Sequence, residues 1–182
     1  MKPINILVLS VGRRVELIRY LKKSLSKNQK TGKVIGADVS NLAPALYECD
    51  LKVKLPYIHD SNYLNELVRI VQELEINAII PTIDTELDLL AKNKEYIIAQ
   101  SRLNLFISNQ STINVFQDKR VMYQHISKLN IKTPKIYESA DFASLEYPVF
   151  LKPPKGSSSV NTFVVNSPNE LFAYTNMLQN LI

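Results

Sequence analysis

Ile4-Asn5-Ile6-Leu7-Val8-Leu9, followed at once by Ser10-Val11-Gly12-Arg13-Arg14, is the stretch that decides the fold. The first six residues are a near-continuous apolar run, the pattern of a central parallel strand buried on both faces. From Arg13 the period changes, and Val15, Leu17, Ile18, Leu21 and Leu25 recur at helical spacing. A buried strand, a tight turn and an amphipathic helix make the opening of a strand–helix–strand unit.

Working outward, Lys33-Val34-Ile35-Gly36-Ala37-Asp38 reads as a second strand that ends on an acid. A short helix over 42–48 follows, and Leu51 to Leu55 is a third strand stopped by Pro56. Asp60 or Ser61 is placed to cap the next helix, because a short side-chain oxygen accepts from an orphaned backbone amide. That helix buries Leu64, Leu67, Val68, Val71 and Leu74. Ala78-Ile79-Ile80-Pro81-Thr82 is a fourth strand, Glu86 to Ala91 starts another helix, and Leu103 to Ser108 supplies a fifth strand. Strands alternating with helices, across connections too long for hairpins, predict an α/β, doubly wound parallel sheet.

After Ser108 the rhythm breaks, which places a domain boundary near residue 110 and splits the chain into 1–110 and 111–182. The second part begins with a helical stretch over 111–129 and an extended turn, Ile131-Lys132-Thr133-Pro134. Tyr147 to Leu151 is a strand, Lys152 to Ser159 a loop of small residues, Thr162 to Val165 a hairpin partner, and 168–178 a closing helix.

Composition excludes several classes. The chain has 182 residues, 46% apolar and 21% charged, enough for a core of ordinary size. No apolar run approaches the roughly 20 residues of a membrane helix, so no membrane partner is expected. The start does not read as a signal peptide, and the default location is cytoplasmic. Cys49 is the single cysteine, set among Leu46, Tyr47 and Leu51, where it is expected to pack. With one cysteine and two histidines there is no zinc-ligand spacing. The net charge of +5 concentrates between Lys22 and Lys33, at a helix end and its turn, which is a solvated face; no nucleic acid is expected.

In open parallel sheets ligands bind beyond the carboxyl ends of the strands. That places Ser10 to Arg14, Asp38 and Thr82-Ile83-Asp84-Thr85-Glu86 on one rim, with Gly12, Arg13, Thr82, Asp84 and Glu86 as candidate substrate-binding residues. Gly12 turns the chain into a helix whose first amides favour an anion, although a turn alone accounts for the same glycine. Asp84 stands where it could cap a helix or face a substrate. A NAD-binding Rossmann reading is weaker: G-x-G-x-x-G needs three glycines, only Gly12 is present, and Arg13 and Arg14 would crowd a pyrophosphate. In the second part, Lys152 ends an apolar strand and runs into Pro153-Pro154-Lys155-Gly156-Ser157-Ser158-Ser159. A lysine fixed by a strand neutralises phosphate oxygens, while small residues let amides and hydroxyls fold over them. Asp118-Lys119, near a helix start, supplies a second cation.

These residues, in this order, resemble the ATP-grasp superfamily, in its carbamoyl-phosphate-synthase-like branch of carboxylate–amine ligases. Leu9 to Leu17 resembles the opening of the branch's Rossmann-like pre-ATP-grasp domain, and Ile80 to Leu87 its fourth strand and following loop. Asp118-Lys119 is similar to the first ATP-contacting basic site, 131–134 to the usual turn, and 147–153 to the strand bearing the second ATP lysine. Gly156-Ser157-Ser158-Ser159 falls on the loop that closes over phosphates.

The resemblance implies an enzyme that uses ATP and Mg²⁺ to activate a small carboxylate as an acyl phosphate for attack by an amine. It implies that Lys119 and Lys152 bind the α- and β-phosphates, with Gly156, Ser157, Ser158 and Ser159 over the γ-phosphate. Ser158 and Asn161 stand where glycine is common in the family, and Pro154 where arginine is common. The family's metal ligands and adenine hinge lie further along than Gln179-Asn180-Leu181-Ile182, in a second ATP-grasp lobe. The 182 residues are therefore expected to be a truncated, split or degenerate ligase that does not ligate alone. Its partners would be the missing lobe, on the same chain or a separate polypeptide, and a second copy as a homodimer. A non-catalytic, regulatory nucleotide-binding module is the alternative.

Overall fold

Asn5–Val8 forms β1, the middle strand of a five-stranded sheet in which every neighbouring pair is parallel. The computed structural model describes residues 2–100 and 103–179, and the chain divides into one unit up to Ile113 and another from Asn114. After β1 come α1 (Val15–Lys27), β2 (Val34–Asp38), a 3-10 turn (Pro44–Glu48), β3 (Leu51–Lys54), α2 (Tyr63–Glu73), β4 (Ile76–Ile80), α3 (Asp84–Lys92), α4 (Lys94–Gln100) and β5 (Asn104–Leu105). The strand order is β3-β2-β1-β4-β5, so the chain leaves β1 on one side to reach β2 and returns on the other for β4. The gap between the carboxyl ends of β1 and β4 is the switch point where such sheets bind ligands.

Alternation along the strands fills both faces. Leu7, Leu9, Ile35, Ala37 and Ile79 pack with Leu67, Ile70, Val71, Leu90 and Ile97 from α2, α3 and α4. Ile6, Val8, Val34 and Ala78 pack on the other face with Ile18 of α1 and Ala43, Ala45 and Leu46. Burying each Leu or Ile of these layers stabilises the unit by about 1.5–3 kcal/mol. Gly36 of β2 lets the 3-10 turn come close, since a Cβ there would meet Cys49 Sγ at 2.6 Å. Cys49 is half-buried, donates to the Ala45 carbonyl at 3.2 Å, and has its thiol pushed up to about 11 chiefly by burial. It packs, as expected.

Several element limits differ from those read in the sequence. β4 begins at Ile76 and stops before Pro81, which has no N–H for a ladder. Polar Asn77 hides the start of that strand, yet its Oδ1 accepts from Asn5 N at 2.7 Å, where the β1–β4 register shifts. Neither Asp60 nor Ser61 caps α2: Asn62 is the N-cap, and Asp60 Oδ1 instead accepts from Asn62 N at 2.8 Å. Ile83, not Asp84, is the N-cap of α3, so Asp84 is the first helical residue. β5 is only two residues long.

The helical stretch after residue 110 is two helices, α5 (Gln110–Gln117) and α6 (Lys119–Ser127). Asp118 breaks it: extended at φ −103, ψ 116, it caps α6 by accepting from Arg120 N. β6 (Val149–Leu151) and β7 (Phe163–Val165) form an antiparallel hairpin, followed by α7 (Pro168–Gln179). Val165 and Leu171 are buried, and the Phe163 and Tyr174 rings stack with centroids 4.3 Å apart. Residues 180–182, which close the sequence, lie outside the described residues. Among the described residues no helix is long and apolar enough to cross a membrane.

Candidate functional site

Polar side chains gather on the rim of the first unit and beside the hairpin of the second. In the first, the turn after β1 is bolted to its neighbours. Gly12 N donates to Asp38 Oδ2 at 2.9 Å, Ser40 N donates to Asp38 Oδ1 at 2.9 Å, and Val11 N donates to the Ala37 carbonyl at 3.0 Å. Asp38 thus takes the Gly12 amide that a pyrophosphate would need, so the dinucleotide reading loses its one glycine contact.

Across the switch point, Thr82 Oγ1 lies 2.8 and 2.7 Å from the Leu9 and Ser10 carbonyls. The Arg14 guanidinium spans the same gap, reaching the Thr82 carbonyl at 2.7 Å and the Ser10 carbonyl at 3.2 Å. Below them Glu86 is 2% exposed and its Oε1 accepts from Ser10 Oγ at 2.6 Å and from the Tyr63 hydroxyl at 3.1 Å. Burial pushes the Glu86 carboxyl up, against the lowering effect of the Ser10 and Tyr63 bonds. The Tyr63 phenol is pushed up too, by burial and then by Glu86.

The five rim candidates therefore separate. Arg13 and Asp84 are exposed, Gly12 and Thr82 are held by backbone stitching, and Glu86 faces the core. Arg14 and Tyr63 complete the network: the sequence puts Arg14 on the rim without a binding role, and it does not mark Tyr63 at all. A tyrosine inside a helical apolar stripe signals packing only, and the hydroxyl's use depends on a partner 23 residues away.

In the second unit, Lys119, Lys152, Lys155, Gly156, Ser157, Ser158 and Ser159 line one cavity of about 210 Å³, with Phe150, Val160 and Thr162 on its wall. α6 and the end of β6 position the first two lysines. Asp118 fixes the start of α6: it is 6% exposed, holds Arg120 at 2.9 Å, and that guanidinium keeps its carboxyl down at about 2. Lys119 N donates to the Pro154 carbonyl and Lys119 Nζ to the Gly156 carbonyl, both at 2.9 Å. Lys152 Nζ donates to the Tyr123 hydroxyl at 2.7 Å.

The loop itself is left-handed at Ser158, Ser159 and Asn161, with φ of 58, 58 and 56. Two of these are the positions where glycine is common in the resembling family. The backbone keeps a glycine-like course with serine and asparagine in place, at about 1 kcal/mol per residue for serine and less for asparagine, whose side chain tolerates this region.

A donor set of ammonium groups, small hydroxyls and loop amides suits phosphate oxygens. It does not suit a cation, and among the described residues no group of three or more His, Cys, Asp or Glu could hold a metal ion.

Comparison with known proteins agrees with the fold. The family described as PylC-like, N-terminal domain matches residues 6–101. No curated protein matches the chain. Among solved structures, L-amino acid ligase from Bacillus licheniformis superposes at a TM-score of 0.69 and 16% identity, over 100% of this chain and 42% of that one. The ADP complex of purK, N5-carboxyaminoimidazole ribonucleotide synthetase, gives 0.69 and 13%, over 97% of this chain and 45% of that one. The biotin carboxylase domain of Hydrogenobacter thermophilus 2-oxoglutarate carboxylase, a dimer with MgADP, ADP and bicarbonate, gives 0.64 and 14%, over 99% and 41%. At these identities the likeness establishes the fold. The chain spans less than half the length of each of these three proteins.

Proposed function

This chain belongs to the PylC-like N-terminal domain family, and on that premise we propose that it supplies the nucleotide-facing part of an ATP-grasp carboxylate–amine ligase. The ATP-grasp resemblance read from its motifs stands with the family match and the shared fold. The observation that carries the functional reading is the cavity after β6, where Lys119, Lys152 and the Gly156–Ser159 loop meet.

In this reading the two ammonium groups offset the charge of a triphosphate, and the loop's amides and hydroxyls close over its terminal oxygens. Bound ATP would supply the phosphoryl group, with Mg²⁺ as its counter-ion. Positioning and charge neutralisation are most of what a protein contributes to phosphoryl transfer. Lys119 Nζ spends one of its three donors on the Gly156 carbonyl, which ties the loop to the cation and leaves two for phosphate oxygens. Arg13 and Asp84, exposed on the rim of the first unit, are assigned to substrate contact. Gly12, Thr82 and Glu86 hold that rim in shape. Ligation, and the branch resembling carbamoyl-phosphate synthase, extend the same reading to a second lobe that presents the metal.

Calorimetric titration with MgATP tests it. Lys119→Met and Lys152→Met should each weaken binding about 10- to 100-fold, the range for losing a hydrogen bond to a charged group. Binding should also weaken with added salt. Variants that bind ATP like the parent chain would overturn the assignment.

A further inference from the structure

Lys152 is the only cavity lysine among the described residues whose ammonium donates to a neighbouring side chain rather than to a main-chain carbonyl, and the partner is unusual. The Tyr123 hydroxyl accepts from Nζ at 2.7 Å, and the ring centroid lies 4.9 Å from the same nitrogen. Tyr123 sits on α6 four residues after Lys119, so both project from one helix face. Tyr123 lines an adjoining cavity of about 570 Å³ that Lys119 and Lys152 line as well; we propose that it is a positioning residue that holds the Lys152 ammonium where this cavity meets the serine loop, so that α6 sets two of the three cavity lysines, one directly and one through a phenol.

The physical case is about order. Lysine is a flexible stem with three rotatable donors, carrying about 2 kcal/mol of rotamer entropy. A free ammonium at the end of β6 would spread over many positions, and binding would have to order it each time. The phenol oxygen takes one of the three N–H donors and leaves two for an anion. Because the oxygen accepts through a lone pair, its own proton is directed away from Lys152. The ring adds attraction for the cation that survives loss of the hydroxyl. Asp118 fixes the helix that carries both residues: its cap holds the first turn, and Tyr123 lies one turn further along. Nothing in the spacing of Lys119 and Lys152, 33 residues apart in sequence, reveals this link.

The inference rests on the phosphate-binding reading, and the test separates the two. MgATP affinity is measured by calorimetry on the 182-residue chain for the parent, Tyr123→Phe, Tyr123→Leu, Lys152→Met and the Tyr123→Phe/Lys152→Met pair. In parallel, the Lys152 ammonium is followed by ¹⁵N NMR without nucleotide, its signal assigned by its loss in Lys152→Met. Tyr123→Phe should weaken ATP binding about three- to tenfold, the range of one hydrogen bond, and Tyr123→Leu should weaken it further. Tyr123→Phe should cost no more in the Lys152→Met background than an inert substitution, because the coupling has gone. The ammonium signal should broaden or shift in Tyr123→Phe while thermal melting stays unchanged. An ammonium signal indifferent to Tyr123→Phe overturns the inference alone. So does a Tyr123→Phe penalty that persists without Lys152, or the absence of any penalty. Unchanged ATP affinity in Lys152→Met, or no binding by the parent chain, overturns the phosphate reading and the inference with it.

Discussion

Glu86 is the residue where structure and charge are most at odds. Its carboxyl is buried, receives two hydroxyl donors on one oxygen, and has its proton affinity raised chiefly by burial. A raised carboxyl means the folded chain holds a proton that the unfolded chain has released. The resulting stability is full below the unfolded value of about 4.3 and is lost as pH rises through the folded one. Denaturation midpoints of the first unit should therefore fall with rising pH across that window, and Glu86→Gln should flatten the dependence. Glu86→Ala should cost about 2–3 kcal/mol by leaving Ser10 and Tyr63 without their acceptor. Asp118 has the opposite sign. Its carboxyl is held down at about 2 by Arg120, so its contribution is present above the ordinary carboxylate range and is lost as pH falls through about 2. Asp118→Ala should destabilise the second unit by about 1 kcal/mol, the usual worth of an N-cap, read by urea denaturation.

At the scale of elements, the sequence carried the strands well because each is an apolar run bounded by a polar or proline residue. Ile4 to Leu9 and Val34 to Ala37 could hardly be anything else. It failed where a side chain acts on a partner distant in sequence. Asn77 reads as a break, yet it caps the start of β1 across the sheet. Asp84 and Asp60 read as caps, yet the chain turns into its helices one residue before the first and two after the second. Position after a strand places a residue on the rim but is blind to which way Glu86 points. The place of Lys152 in the chain is legible because the strand that ends at Leu151 fixes where it must emerge. Packing of the 3-10 turn against β2 gives a direct check. Gly36→Ala should cost about 1–3 kcal/mol through its contact with Cys49 Sγ, and Cys49→Ala should recover part of that loss in the double variant. Equal losses in both backgrounds would show that the glycine serves something other than this approach.

At the scale of the whole molecule, the chain holds two units of different build. The first is a doubly wound sheet whose switch point is closed by Arg14, Thr82, Ser10 and Glu86; residues 6–101 carry its match to the PylC-like N-terminal domain family. The second is a small hairpin and helix that gathers Lys119, Lys152 and a left-handed serine loop around one cavity. The most direct test of that arrangement compares ATP with AMP in calorimetric titrations of the parent chain and of Lys119→Met/Lys152→Met. The account predicts that the parent prefers ATP by about 10-fold or more, the worth of its phosphate contacts, and that the double variant loses this preference. AMP bound as tightly as ATP, or a preference that survives without both lysines, would contradict it.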